Sequence, residues 1–122
     1  MLINCLAVGA GGFIGSIMRY LIGMVSFLQK GSIPFQTLLA NVLGAILIGV
    51  ILQVASSYNI LSGPMVLFLK VGICGGFTTF STFSSEALGF LESGRNTLFI
   101  VYVLASLILC VAGVSIGKSL VR

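Results

Sequence analysis

Apolar residues form long stretches along the chain, and short polar connections separate them. The stretches cover about residues 2–25, 33–55, 64–92 and 97–118. A helix of about 20 apolar residues crosses a hydrocarbon core about 30 Å thick, so each stretch is long enough to span a bilayer. Open sheets cannot span lipid, and the short alternating segments of a membrane barrel are missing from the sequence. The pattern predicts an all-α membrane protein with four transmembrane helices in one domain.

Turn-forming residues mark the connections between these stretches. Gly31 and Ser32 precede Pro34, which can open the second helix at its first turn because its missing N–H costs nothing there. Ser, Asn, Gly and Pro cluster in residues 56–64, and residues 92–96 end the third stretch. We therefore expect short loops between neighbouring helices.

Composition supports membrane insertion and excludes several function classes. The 122 residues are 58% hydrophobic and 7% charged, whereas a soluble domain carries about a quarter charged residues. The absence of His from the sequence excludes an imidazole base and a His-ligated metal. The six basic residues never form a run, which favours headgroup anchors over nucleic-acid binding. The cysteines, Cys5, Cys74 and Cys110, lie far apart inside the spans and are predicted to be packing residues.

The basic residues leave the orientation of the chain undecided. With four spans, Lys70, Lys118 and Arg122 lie toward one side, and Arg19, Lys30 and Arg95 toward the other. Because basic residues normally stay on the cytoplasmic side, three against three gives no preferred answer. Either the chain inserts in both orientations, so that two inverted copies can pair, or features other than charge select one orientation.

Small residues recur at intervals of four, as in Gly11 and Gly15, Gly72 and Gly76, and Gly113 and Gly117. This spacing aligns them on one helix face, where backbones can approach closely. It predicts tight packing without specifying a dimer. A four-helix bundle of this size has no room for a water-filled pore, so a pathway would run between subunits.

The middle of the third stretch carries the strongest functional signal. Gly75 and Gly76, followed by Thr78 and Thr79, weaken a helix at bilayer depth. Lipid cannot satisfy the freed backbone groups, so a break must be buried in protein or line a polar cavity. Freed carbonyls can bind Na⁺ in discontinuous transporter helices. The alternative is a kinked helix whose hydroxyls bond back to its own carbonyls.

Aromatic and hydroxyl side chains alternate after the predicted break. Phe80 and Phe83 lie three apart on one helix face, and six hydroxyl residues occur between positions 78 and 85. Ring edges carry positive partial charge and hydroxyls donate hydrogen bonds, so together they can contact a dehydrated anion. Otherwise the rings are ordinary core. Glu86 is either an intramembrane functional carboxylate or a residue near the interface.

Two polar residues in the first two spans are further candidates. Asn41 lies in an apolar segment, where its amide is either interhelical glue or an anion ligand. Arg19, with Tyr20, is either a snorkelling anchor or part of an entrance that concentrates anions.

Three segments resemble the signature stretches of the Fluc/CrcB fluoride channel family. They are GGFIGSIMRY at residues 11–20, NVLG at 41–44 and GGFTTFSTFSSE at 75–86. The resemblance extends over all four spans in order. It implies an antiparallel, dual-topology homodimer in the bacterial inner membrane that exports F⁻ passively through two pores at the dimer interface. Its partners would be fluoride, a second copy of the chain and the bilayer, with no nucleic acid.

The same resemblance implies roles for individual residues. Asn41, Phe80 and Phe83 match pore-lining positions. Gly75 and Thr78 match positions whose carbonyls hold a central structural Na⁺. The other residues that it places along the fluoride pathway are Arg19, Thr37, Ser81, Thr82, Ser84, Glu86 and Ser106.

Two other functions remain open at this point. A small dual-topology drug/proton antiporter shares the size, but its usual mechanism needs a carboxylate in the first helix, and residues 2–25 contain none. A membrane scaffold protein would explain the small-residue faces and leave the hydroxyl run unexplained. An enzyme is disfavoured because the two glutamates, without any His, form no acid/base pair.

Overall fold

The computed structural model describes residues 1–58 and 60–121, over which the chain forms four helices long and apolar enough to cross a membrane. They are α1 (Leu2–Gly23), α2 (Phe35–Ser57), α3 (Gly63–Glu92) and α4 (Asn96–Ser119). This confirms the predicted all-α architecture. Asn59, in the predicted turn, and Arg122, counted in the charge balance, lie outside the described residues.

Helix α3 is broken in its middle, as the sequence predicts. Its first half ends with the short α-helical segment Gly75–Phe77, and its second half begins at Phe80 and ends at Glu92. Between them, Thr78 (φ −80°, ψ 159°) and Thr79 (φ −150°, ψ 117°) are extended. The break therefore falls on the β-branched pair that follows the two glycines.

The first half of α3 contains a feature that the sequence did not predict. Residues Leu67–Cys74 form a π-helix between two short α-helical segments. The π-helix is rare, appears mostly as a short bulge within an α-helix, and is frequent at functional sites. Here the short segment Gly75–Phe77 separates it from the break.

The connection between α1 and α2 also differs from the sequence-based expectation. A 3₁₀-helix, Ser26–Gln29, follows the end of α1. Pro34 lies at the N-cap rather than in the first turn of α2, which begins at Phe35. The Pro34 carbonyl accepts the Leu38 N–H at 3.1 Å, so proline still starts the helix without needing an N–H of its own.

The four-residue spacing of small residues brings backbones into contact within the subunit. A Cβ on Gly15 would overlap the Ile73 carbonyl, and one on Gly76 would overlap the Gly12 carbonyl. These glycines seat α1 on the first half of α3. In the same way, a Cβ on Gly117 would overlap the Ile46 carbonyl, so the backbones of α4 and α2 are in close contact there.

The buried core is small and lies beside the second half of α3. Ala87, Phe90 and Tyr102 are its buried members, and Tyr102 is fully buried. Large apolar side chains on α1 and α4, such as Phe13 and Ile108, face outward. That outward apolar surface suits lipid, which is as apolar as the side chains themselves.

We expect Gly15→Ala to lower the melting temperature of the purified protein, because overpacking against backbone costs about 1–3 kcal/mol. The matched control is Gly9→Ala on the same helix, where a Cβ meets nothing within 4 Å. The control should be neutral or slightly stabilising, since alanine favours helix over glycine. Thermal unfolding in detergent, followed by size-exclusion recovery, measures both. Equal melting temperatures for the two variants would contradict close packing at Gly15.

Candidate functional site

Asn41 of α2 closes the break in α3 with two hydrogen bonds. Its Oδ1 accepts the Thr79 N–H at 2.7 Å, and its Nδ2 donates to the Thr79 carbonyl at 3.1 Å. One side-chain amide thus replaces both helical partners that Thr79 lacks, and this is how a polar backbone group can persist at bilayer depth. A second Nδ2–H remains, because the amide has two donor hydrogens.

Two carbonyls next to the break lose their regular helical partners. The Thr79 N–H, which would pair with the Gly75 carbonyl in a continuous helix, donates to Asn41 instead. The Thr82 N–H, which would pair with the Thr78 carbonyl, donates to Thr79 Oγ1 at 3.2 Å. Both freed groups are hard oxygen donors, which suit an alkali or alkaline-earth cation better than a soft metal.

Thr79 restarts the helix after the break. It is the N-cap of the second half of α3, and its Oγ1 also donates to Thr82 Oγ1 at 3.1 Å. Ser81 Oγ lies 3.3 Å from the same oxygen. Capping by a Thr hydroxyl satisfies an orphan N–H of the new helix. The result is a cluster of three hydroxyls at the start of this half-helix.

Glu86 is held between three helices. Its Oε1 accepts from Thr37 Oγ1 of α2 at 2.8 Å, and its Oε2 accepts from the Tyr102 hydroxyl of α4 at 2.7 Å. Thr37 and Tyr102 are both buried, and Glu86 is half-buried. The carboxylate is therefore oriented by two hydroxyl donors inside the bundle.

A row of aromatic rings connects this network to the face of the subunit. The ring centroids of Phe80 and Phe83 lie 5.6 Å apart, and those of Phe83 and Tyr102 lie 5.2 Å apart. Phe90 packs edge-on against Tyr102 at 5.8 Å. Such tilted arrangements point positive ring edges toward neighbouring groups. Phe80, at the outer end of the row, is 79% exposed.

Two cavities meet at Thr79. The first, which we name the arginine cavity, has a volume of about 390 Å³ and is lined by residues that include Ser16, Arg19, Tyr20, Gln36, Thr82 and Glu86. The second, which we name the phenyl cavity, has a volume of about 590 Å³, and Asn41, Thr78, Phe80, Phe83 and Ser106 are among its lining residues. Thr79 lines both cavities, so the break in α3 lies where they adjoin.

Three other residues that the sequence analysis predicted for the site, Ser81, Ser84 and Ser106, lie in different surroundings. Ser106 is 7% exposed in the phenyl cavity, and its Oγ has no hydrogen-bond partner within the part of the chain that the structure describes. Ser84 instead donates to the Phe80 carbonyl of its own helix at 2.8 Å. Ser81 is exposed next to Thr79. Thus Ser106 retains a free hydroxyl inside a cavity, whereas Ser84 behaves as an ordinary helix residue.

Sequence reasoning missed Tyr102 and Gln36. Tyr102 could have been noticed as a phenol in the middle of an apolar span, where its hydroxyl must find a partner. Gln36 lies next to Thr37 at the start of α2, where a polar residue is easily taken for part of the loop. Only the three-dimensional structure places it in the arginine cavity.

Comparisons with known proteins identify similar chains. Residues 6–118 match the family described as CrcB-like protein, Camphor Resistance (CrcB). A Ruminiclostridium cellulolyticum protein named fluoride-specific ion channel FluC is 41% identical over 122 residues, covering 99% of this chain and 94% of that relative. A protein of the same name from Clostridium perfringens is 44% identical, covering 99% of this chain and 95% of that relative. Another from Agrobacterium fabrum is 42% identical, covering 99% of this chain and 98% of that relative.

Tyr102→Phe should destabilise the protein by about 1–3 kcal/mol, because it leaves Glu86 Oε2 without its hydroxyl donor. Tyr20→Phe is the matched control, since the same hydroxyl is removed from an exposed residue. Thermal unfolding in detergent measures both variants. A melting temperature of Tyr102→Phe that equals the control would mean that the network does not hold Glu86.

Proposed function

The chain belongs to the CrcB family, and from this membership we propose that it is a fluoride channel that exports F⁻ passively across the bacterial inner membrane. Curated relatives over nearly the whole chain bear the name of a fluoride-specific ion channel, which supports this ion. A channel of this kind is a membrane transport protein and not an enzyme.

The observation that carries the proposal is an exposed polar surface in the middle of α3. Gly75 and Ser81 are exposed on the single subunit, and Phe80 is 79% exposed beside them. Lipid cannot satisfy the freed Gly75 carbonyl or the hydroxyls, so another protein surface must cover them or enclose them in a polar cavity. A Cβ on Gly75 would meet nothing within 4 Å, which leaves room for close approach.

We propose that a second, inverted copy of the chain covers this polar surface. The balanced distribution of basic residues favours neither orientation, which permits both to insert. Two inverted copies pair about a two-fold axis in the membrane plane, and each buries the same face of the other. The phenyl cavity of each subunit then becomes a closed passage, which gives two pores per dimer at the interface.

The proposed path of the anion begins in the arginine cavity. The positive charge of Arg19 raises the local anion concentration. The hydroxyls of Thr82 and Ser81 then lead past the break, while Thr37 donates to Glu86, whose carboxyl group lines the same cavity. Beyond Thr79 the path enters the phenyl cavity, where it is lined by Asn41, Phe80, Phe83 and Ser106. Ser84 donates its hydroxyl to the Phe80 carbonyl of its own helix, so we assign it no direct contact with the anion.

The chemistry of this path suits a small, strongly hydrated anion. Conduction requires that several weak sites replace the water shell without trapping the ion. The second Nδ2–H of Asn41, the free hydroxyl of Ser106 and the ring edges of Phe80 and Phe83 provide such sites without a fixed positive charge. A narrow passage between apolar walls then favours fluoride over larger halides.

Gly75 and Thr78 fit a structural Na⁺ at the centre of the proposed dimer. Their carbonyls have lost regular helical partners, and carbonyl oxygens of unwound helices are ligands that Na⁺ prefers. Each carbonyl would be supplied twice by the two-fold axis. The ion would neutralise the converging carbonyl dipoles and hold the two broken helices together.

The two other functions considered from the sequence fit less well. An antiporter would need a carboxylate that alternates between proton and substrate, and Glu86 is instead tied to Thr37 and Tyr102. A scaffold protein would not need the unpartnered Ser106 hydroxyl in a cavity beside exposed phenyl rings.

Phe80→Ile and Phe83→Ile should each slow fluoride efflux from proteoliposomes by about tenfold or more, because losing one ring-edge site raises the barrier by about 1.4 kcal/mol. Phe13→Ile is the matched control, since Phe13 is 70% exposed on the outer face of α1. A fluoride electrode measures the efflux, and size-exclusion chromatography checks assembly. If both cavity variants conduct like the Phe13 variant, the rings have no part in conduction.

Complete replacement of Na⁺ by a large organic cation during purification and assay should abolish fluoride efflux and shift the dimer toward monomer, because the carbonyls of Gly75 and Thr78 then face one another without a cation. Readdition of Na⁺ should restore both properties. Flux and dimer stability that do not respond to Na⁺ would contradict the structural ion.

A further inference from the structure

Arg19 is a charged residue that has no partner in the arginine cavity. Its guanidinium carries five N–H donors and no acceptor. Within residues 1–58 and 60–121 the structure gives it no hydrogen bond and no ion pair. Glu86 lines the same cavity, but each of its oxygens already accepts a hydroxyl, from Thr37 and Tyr102. The two hydroxyls orient this carboxylate, and within the described residues it forms no ion pair with the arginine.

Gln36, in the same cavity, has a hydrogen-bond acceptor that lacks a donor. Its Oε1 is buried and has no hydrogen-bond partner among the described residues. A buried carbonyl oxygen without a donor is costly, so a donor should be available to it in some state of the protein. The cavity contains a side chain with free N–H groups, which is Arg19.

We propose that Gln36 is a positioning residue for Arg19 in the anion pathway, an inference that rests on the proposed function. The two side chains are not bonded to each other in the single subunit. In the dimer, before an anion arrives, a change of the Arg19 rotamer lets the Gln36 amide oxygen accept a hydrogen bond from the guanidinium and hold it toward the cavity. When the anion enters, the guanidinium turns its N–H groups to the anion and leaves the amide. No covalent bond changes and no proton is transferred.

The neutrality of Gln36 is what makes this arrangement useful. A carboxylate at position 36 would form an ion pair with Arg19 and cancel the charge that attracts the anion. An apolar side chain would leave the guanidinium free to turn away from the cavity. A neutral amide orients the cation and preserves its charge, and it yields readily to the anion because its hydrogen bond is the weaker one.

The test measures fluoride efflux at a series of fluoride concentrations, which separates the half-saturating concentration from the maximal rate. Gln36→Met, which keeps the length of the side chain and removes the amide, should raise the half-saturating concentration about three- to tenfold and change the maximal rate less than twofold. Gln36→Glu should raise it further, because the new charge pairs with Arg19. In the Arg19→Gln background, Gln36→Met should add nothing.

The matched control is Gln53→Met, the same substitution near the other end of α2, where Gln53 donates to Ser57 on the exposed surface. It should leave both parameters unchanged. If Gln36→Met does not fold, Gln36→Ala takes its place with the same expectation.

Two results would overturn the inference while leaving the proposed function intact. In the first, wild type conducts fluoride and Gln36→Met matches the Gln53 control. In the second, the effects of the Gln36 and Arg19 substitutions multiply in the double variant, so that the residues act independently. Absence of fluoride efflux from the wild type overturns the proposed function itself, and the inference fails with it.

Discussion

The structure depends on how a broken backbone is satisfied where no water is available. Thr79 leaves the helix in the middle of α3, and each of its backbone groups pairs with the amide of Asn41. Without that pairing, two unsatisfied polar groups would lie at bilayer depth, where each costs several kcal/mol. Asn41 thus stabilises the extended Thr78–Thr79 segment, and the Thr79 hydroxyl then caps the restarted helix.

Close backbone packing places Asn41 where it can act. Small residues join α1 to the first half of α3 and α4 to α2. At Gly44, one turn after Asn41, a Cβ would overlap the Thr78 side chain, so α2 lies directly on the break. The same packing leaves the two cavities adjoining at Thr79. Glycine spacing thus determines the shape of the site as well as the association of helices.

Local sequence was sufficient to predict the helices and the break, because hydrophobic length and the Gly-Gly-Phe-Thr-Thr segment act through neighbouring residues. It did not predict the π-helix at Leu67–Cys74, against which α1 packs closely at Gly11 and Gly15. The Tyr102–Glu86–Thr37 network was likewise hidden, since it joins three helices at sequence separations of 16 and 49 residues. The local hydrogen bond of Ser84 to its own helix was not foreseen either, since the hydroxyl run alone does not say which partner each hydroxyl takes.

In the proposed channel, this capped break is covered by an inverted copy and forms a passage for fluoride. Efflux of fluoride and chloride from proteoliposomes, measured over a range of protein densities, tests the ion and the dimer together. We expect that fluoride leaves while chloride stays, and that the fraction of active vesicles tracks the fraction containing at least one pair of subunits. Retention of fluoride equal to that of protein-free vesicles, or equal release of both halides, would contradict it.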